Sequence, residues 1–439
     1  MRRGWLIVGL LVLPLATLGG REAWAAWTLA GCAAACALAL RPSVAGALER
    51  TLLVIAALLL VQILPLPQAI LDLVSPHARP THDALALTPE AAAGRTLSVS
   101  PGATAWALAV WFAALALFLA ARQQFATGGL RHTARSIAAL GLVVSLLAIA
   151  QAATADRHIF WLFPTPFEGP QPFGPFVNRN HFATWAIMVF PLTAGYLAAH
   201  AQAHQAHAAD VAHRRSRIAR AVDPRAAWLA LAAAVVLLAL LLSLSRAGVL
   251  ALGTSALLTW GRMRGALGER ERRGAAALAA ALTIFALAWS DLPAFAERLA
   301  GAGTDMAGRL TIWRETVPIV RDFPFTGTGA GTFQLAMFVY QRADRTVYFN
   351  QAHNHYLQIA AEGGLLLVVP ACLAIGLFVR TASASIAGDR SPTRWIRVGA
   401  ACGLGAAAVQ SLFETGLVMP ANAALAAVLA AAIVHRHER

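Results

Sequence analysis

The feature that most constrains this chain is its division into long apolar blocks. Segments 5–20, 25–40, 51–67, 104–121, 136–153, 182–200, 227–244, 248–262, 275–290, 363–380, 398–416 and 420–434 are nearly free of charge. Each runs for roughly 16 to 20 residues, the length a helix needs to cross a hydrocarbon core of about 30 Å. Hydrophobic residues make up 58% of the sequence and charged residues only 13%, against about 25% charged in ordinary soluble domains. The expectation is an all-α polytopic membrane protein of about twelve transmembrane helices, with residues 1–439 forming a single integral membrane domain. Many of the blocks are rich in Ala, and small residues let helices approach closely in a compact bundle.

The formal charge of +14 does not point to a nucleic-acid partner. All 35 basic residues are Arg, and 23 of them fall in segments on the side of the N-terminus: Arg2, Arg3, Arg41, Arg50, Arg122, Arg131, Arg135, the runs Arg214 to Arg225 and Arg262 to Arg273, Arg380 to Arg397, and the tail. That asymmetry follows the positive-inside rule, so both termini are expected in the cytoplasm of a bacterial inner membrane protein. The N-terminal block is read as a retained first helix. Its alternative is a signal peptide ending at Ala23-Trp24-Ala25. The cysteines Cys32, Cys36, Cys372 and Cys402 all lie within predicted spans, where they read as small apolar core residues with no disulfide framework.

Segments 68–103, 154–181 and 291–362 are the long stretches on the outer side, and the last forms a large periplasmic loop before the tenth span. Between Asp305 and Phe323 the apolar residues Ile312, Trp313, Val317 and Val320 recur at helical spacing, which predicts an interfacial helix. Arg309 shares that stripe, whereas Arg314 and Arg321 point elsewhere. On the inner side, His200, His204, His207 and His213 read as a solvated face, with metal binding as the lesser alternative. The glycines of Thr326-Gly327-Thr328-Gly329-Ala330-Gly331 sit in no βαβ unit, so they read as a tight turn and not a dinucleotide site.

Polar signatures converge on the outer side. Ser243-Leu244-Ser245-Arg246-Ala247-Gly248 places an Arg in an outward hairpin, where its charge calls for a pocket or an anion. Phe173 to Ala183 carries Asn178, Asn180 and His181 into a helix, with Asn180 a candidate cap and Asn178 and His181 suited to a sugar-like ligand. Gln351-Ala352-His353-Asn354-His355-Tyr356 offers imidazoles that titrate near neutral pH and suit a general base. Metal binding by His353 and His355 lacks a third ligand at the usual spacing, so neither a metal nor another cofactor is expected. The letters H-N-H also occur in a class of nucleases, a reading that nothing else in the chain supports.

The ordered series Asn178 to Ala183, Ser243 to Gly248, Gly308 to Trp313, Pro324 to Phe333, and His353 to Gly364 resembles the O-antigen ligase-like family. That family contains lipopolysaccharide O-antigen ligases, repeat-unit polymerases and protein O-oligosaccharyltransferases. The resemblance covers about residues 170–425, including the closing stretch with Glu414 and Met419-Pro420-Ala421-Asn422. It implies a GT-C-like bundle that moves a glycan from an undecaprenyl-pyrophosphate carrier to an acceptor hydroxyl, without metal or nucleotide. The acceptor would be lipid A-core or a growing glycan, and membrane lipids are the other expected partners. By the same resemblance His353, followed by Asn354 and later by Gly364, takes the catalytic-base role, and Arg246 and Arg309 hold the pyrophosphate. Asn354, His355, Asn178, Asn180, His181, Arg314 and Glu414 complete the candidate substrate-binding set. Leu367 stands where the ligase motif often has Gly, Thr or Tyr, which keeps a polymerase beside the ligase as an alternative. A lipid or sugar transporter is a further alternative, although the spans carry few of the midplane charges such proteins use.

Overall fold

The computed structural model describes residues 4–44, 46–87, 96–155, 157–165, 171–211, 223–263, 302–343 and 345–435. The apolar runs form α1 (Gly4–Ala16), α2 (Ala23–Leu40), α3 (Ala47–Ile63), α6 (Pro101–Ala126), α7 (Leu130–Thr154), α8 (Arg179–Val211), α9 (Pro224–Leu242) and α10 (Arg246–Met263). Between α3 and α6 lie the short α4 (Gln68–Val74) and α5 (Ala78–Leu85). After α10 come α11 (Ala302–Asp322), α12 (Phe333–Tyr340), α13 (His355–Gly388), α14 (Arg394–Gln410) and α15 (Pro420–Val434). A two-stranded antiparallel hairpin, β1 (His158–Ile159) with β2 (Phe163–Pro164), follows α7. Helices α2, α6, α7, α8, α9 and α13 are long and apolar enough to cross a membrane, and α1 and α15 are shorter apolar helices. The predicted span 275–290 lies outside the described residues, as do the start of the 291–362 loop and the arginines of both the Arg2-Arg3 pair and the C-terminal tail.

The bundle closes through small residues. Between α8 and α14 a Cβ added at Gly195 would stand 2.3 Å from the Trp395 carbonyl oxygen, and one added at Gly399 would stand 2.2 Å from that of Pro191. The two backbones touch, which only glycine at the contact permits.

Its two ends differ in chemistry. At one end Arg122 pairs with Glu49 and with the Ser43 carbonyl. There too His200 meets Asp223 at 2.6 Å, and Arg397 bonds Asp389 and the carbonyls that close α15. At the other end the long interhelical segments build a second layer with its own core, in which Leu71, Leu97, Ile312, Ile319, Phe323, Phe333 and Met337 are buried.

Helix α11 matches the predicted helix, but its buried stripe runs through Ile312, Thr316, Ile319 and Phe323. Val317 is left exposed because it falls about a third of a turn away from that i, i+4, i+7 series. Helix α13 starts at His355, ahead of the predicted span, because Asn354 caps it by accepting from Leu357 N at 3.0 Å. Gly364 then breaks the helix with φ 52° and ψ −159°. That break frees Leu365 N and Leu366 N for the carbonyls of Pro324 and Phe325, each at 2.9 Å. Of the free cysteines, Cys36 and Cys402 are buried as expected, whereas Cys32 and Cys372 face outward. His200 is engaged by Asp223 and its ring lies 6.3 Å from that of His204. The side chains of His207 and His213 fall outside the described residues.

Candidate functional site

The start of α8 is set by an aromatic turn. Phe173 and Phe176 exchange backbone hydrogen bonds, and both rings pack on Phe182. Asn178 then caps the helix, its side-chain oxygen accepting from Asn180 N at 2.8 Å. The capping role proposed for Asn180 thus falls to Asn178. Asn180 is released to donate from Nδ2 to Glu414 Oε1 at 2.6 Å.

Glu414 sits in the turn between α14 and α15 with 1% of its side chain exposed. That turn is tied to α8 by the fully buried Asn422, which donates to the His181 carbonyl at 3.0 Å and the Gly416 carbonyl at 2.8 Å. From α11, Arg309 Nη2 donates to the same Glu414 oxygen at 2.9 Å. The second oxygen, Oε2, lies 3.3 Å from His353 Nδ1. Burial alone would push the Glu414 carboxyl upward. The hydrogen bond from His353, together with the charges of His353, Arg309 and His181, outweighs that and holds it below the ordinary glutamate range.

His353 is held in an uncommon backbone conformation, φ 48°, which costs free energy in a non-glycine residue and is sustained by its surroundings. Those surroundings are specific. Trp313 Nε1 donates to the Ala352 carbonyl at 2.9 Å, and Gln358 Oε1 accepts from Ala352 N at 3.1 Å. Thr415 donates to Gln351 Oε1 at 2.5 Å, and His355 N donates to the Ser411 carbonyl at 2.8 Å. The imidazole segment is therefore clamped on both sides to the turn that carries Glu414.

Beneath it, buried Glu362 receives Gly331 N at 2.9 Å, Phe333 N at 3.1 Å and Gln358 Nε2 at 3.2 Å. Gln62 adds a bond from Ala330 N at 3.1 Å and donates to the Thr326 carbonyl at 2.9 Å. The N–H groups of Gly329, Ala330 and Gly331 are spent on Glu362 and Gln62, so the glycine-rich segment is a locked turn.

The structure thus brings Arg309, His353, Asn180 and Glu414 into direct contact. His181 is buried on the next α8 position and interacts electrostatically with Glu414 and His353. Asn178 and Asn354 act as helix caps at the rim. His355 lies at the start of α13, where its Nδ1 makes no hydrogen bond among the described residues. Arg246 opens α10, preceded by buried Ser245 and by Leu244 at φ 54°. Two residues on, a Cβ at Gly248 would stand 2.9 Å from that of Ala183, so α10 begins against the first turn of α8. Arg314 lies exposed on α11, away from the described partners of the central carboxylate, which are Asn180, Arg309 and His353. No group of three His, Cys, Asp or Glu side chains among the described residues is arranged to hold a metal ion. Trp313, Gln351, Gln358 and Asn422 stand in the sequence only as members of a stripe or a motif, and Thr415 gives no signal there, since the partners they bond are set by the fold.

Residues 225–372 match the model of a family described as O-antigen ligase, about a third of the chain. The match supports an O-antigen ligase-like family and points to glycan transfer of the ligase or polymerase type. No curated protein matches the sequence. Arg246, Arg309, His353, Asn354 and His355 lie inside the matched range, whereas Asn178, Asn180, His181 and Glu414 lie outside it.

Proposed function

We propose that this membrane protein transfers a glycan from an undecaprenyl-pyrophosphate carrier to an acceptor hydroxyl at the periplasmic face. The observation that carries the reading is the buried carboxylate of Glu414, which joins an imidazole and a guanidinium on one small polar centre. Outside the cytoplasm no nucleotide sugar is supplied, so the donor must arrive already activated. A lipid pyrophosphate meets that need.

The acceptor oxygen attacks the anomeric carbon of the donor's first sugar as the bond from that carbon to the pyrophosphate oxygen breaks. His353 Nε2 takes the hydroxyl proton, because Nδ1 carries its hydrogen toward Glu414 Oε2. The electron pair of the broken bond leaves with the lipid pyrophosphate. Arg309 uses one Nη2 hydrogen on Glu414, and its remaining donors and those of Arg246 meet the phosphate oxygens. A planar guanidinium binds such oxygens in pairs. Fixed positive charge where negative charge develops is usually the largest catalytic contribution, and the base adds roughly 10²–10⁴-fold.

A repeat-unit polymerase uses the same donor chemistry with a growing glycan as acceptor. Leu367 favours keeping it as the second reading, since the position is buried and apolar where the ligase motif often has Gly, Thr or Tyr. In a deletion strain, His353→Ala and Arg309→Ala are each expected to insert normally and to restore no transfer. Accumulated long carrier-linked glycan marks a ligase, and accumulated single repeat units mark a polymerase. Full restoration by both variants rules the centre out.

A further inference from the structure

The end of the bundle opposite Glu414 carries a second polar recess that the transfer reaction does not use. It is a shallow recess open to solvent where α7, α8 and α9 meet, lined by Arg135, Tyr196, His200, Arg225, Trp228 and Leu229. Among the described residues, the carboxylate beside it is already committed. Asp223 takes His200 Nε2 at 2.6 Å on one oxygen and Arg225 N at 2.9 Å on the other, capping α9. Among the described residues the guanidiniums of Arg135 and Arg225 make no ion pair, and both side chains are exposed. The recess therefore presents two guanidiniums outside any ion pair, a phenol and an indole, at the level where α7 and α9 begin.

We propose that this recess binds the phosphate group of an anionic phospholipid. Two guanidiniums hold the phosphate oxygens through directional hydrogen bonds. Trp228 and Tyr196 belong to the residue types that sit at the membrane–water boundary, with ring bodies in the acyl region and polar edges toward the headgroups. Basic pockets between membrane helices suit such headgroups. The His200–Asp223 pair closes one wall and sets the start of α9, so Arg225 has a fixed base from which to reach the ligand. A free phosphate ion offers the same oxygens without the acyl chains, and the experiment separates the two.

The full chain in detergent is titrated with phosphatidylglycerol, phosphatidylcholine or inorganic phosphate while its thermal midpoint and its bound lipid by native mass spectrometry are followed. Phosphatidylglycerol is expected to raise the midpoint and to be retained in preference to phosphatidylcholine. Arg135→Gln with Arg225→Gln should weaken phosphatidylglycerol binding roughly 30-fold, and either substitution alone roughly fivefold. The charge-matched pair Arg50→Gln with Arg390→Gln, at exposed positions outside the recess, should leave it unchanged. Millimolar inorganic phosphate giving the same midpoint rise, with the same sensitivity to Arg135 and Arg225, would overturn the lipid assignment in favour of the free anion. Equal phosphatidylglycerol dependence in wild type and both single variants, or equal losses in the charge-matched control, would overturn the site itself.

Discussion

Replacing Glu414 by Gln tests whether the central carboxylate does more than fill space. The amide has the shape of the acid but only one acceptor oxygen. Glu414 Oε1 receives two donors, Asn180 Nδ2 at 2.6 Å and Arg309 Nη2 at 2.9 Å, whereas Oε2 faces only His353 Nδ1 at 3.3 Å. Turning the amide nitrogen toward Asn180 and Arg309 would set donors against two donors in a site with 1% exposure, at roughly 1–3 kcal/mol for each unmet group. The amide oxygen therefore keeps the Oε1 position and the NH₂ group faces His353. His353 Nδ1 must then accept, its hydrogen moves to Nε2, and the nitrogen needed as a base is lost.

The transfer rate should fall by roughly 10²–10⁴, the value of a positioned base. Loss of one charge-assisted hydrogen bond should remove about 1.5–3 kcal/mol of stability. The assay is single-turnover transfer from a carrier-linked glycan in proteoliposomes, read as kcat and KM separately, with the thermal midpoint measured beside it. A drop in kcat with little change in donor KM is expected. The stability has a pH signature with a definite sign. Because the folded carboxyl is held below its ordinary value, its contribution is fully present above about pH 4.3 and is lost as pH falls through the lower folded value. Glu414→Gln should flatten the midpoint's pH dependence in that acidic window. A variant with wild-type kcat and an unaltered acid profile would refute the reasoning.

Other positions give independent checks. Gly364→Ala places a Cβ 2.6 Å from the Phe325 carbonyl carbon and 2.7 Å from Gly327 N at φ 52°, so the turn beneath His353 must open. Membrane-inserted protein with a sharply lower thermal midpoint is expected, from strain of at least about 1–3 kcal/mol. Trp313→Phe keeps an aromatic ring but deletes the Nε1 bond to the Ala352 carbonyl together with part of the indole's packing surface. It should cost about 1 kcal/mol and lower kcat more than KM, and equal stability with wild-type kcat would exclude a role in holding His353. Arg397→Met, at the opposite end, leaves Asp389 without its charge partner and removes the guanidinium donor from the closing carbonyls of α15. Breaking such a buried pair costs about 3–5 kcal/mol, which should appear in calorimetry while transfer per folded molecule is unchanged.

The helices were legible in the sequence because in a membrane a span's length and composition are dictated by the solvent. Each described segment expected to span overlaps a helix, although the 398–416 block leaves its helix at Gln410 and only α2, α6, α7, α8, α9 and α13 are long and apolar enough to cross a membrane. What remained hidden was where polar side chains override periodicity. Helix α13 could not be started at His355 from hydropathy alone, since Tyr356-Leu357-Gln358 reads as loop until the Asn354 cap is known. Gly364 looked like one of two adjacent glycines at a span's edge, yet its left-handed backbone is what separates the imidazole segment from the membrane helix. The candidate residues are legible one by one, and their partners are not. The sequence places Glu414 among ligand-binding candidates, whereas its own contacts are with Arg309, His353 and Asn180. Nothing within 60 residues of His353 announces that pairing.

The same fact limits what residues 225–372 can do alone. They supply His353 and Arg309, two groups that carry positive charge or can acquire it and that repel each other if brought together unscreened. The screening charge is Glu414, and it arrives only when the turn after α14 is seated on α8 through Asn180 and Asn422. Assembly of the centre is thus coupled to closure of the whole bundle. On the proposed function, a chain that has inserted its helices without docking α14 and α15 onto α8 would lack Glu414 beside its arginine and histidine, and is expected to show no transfer.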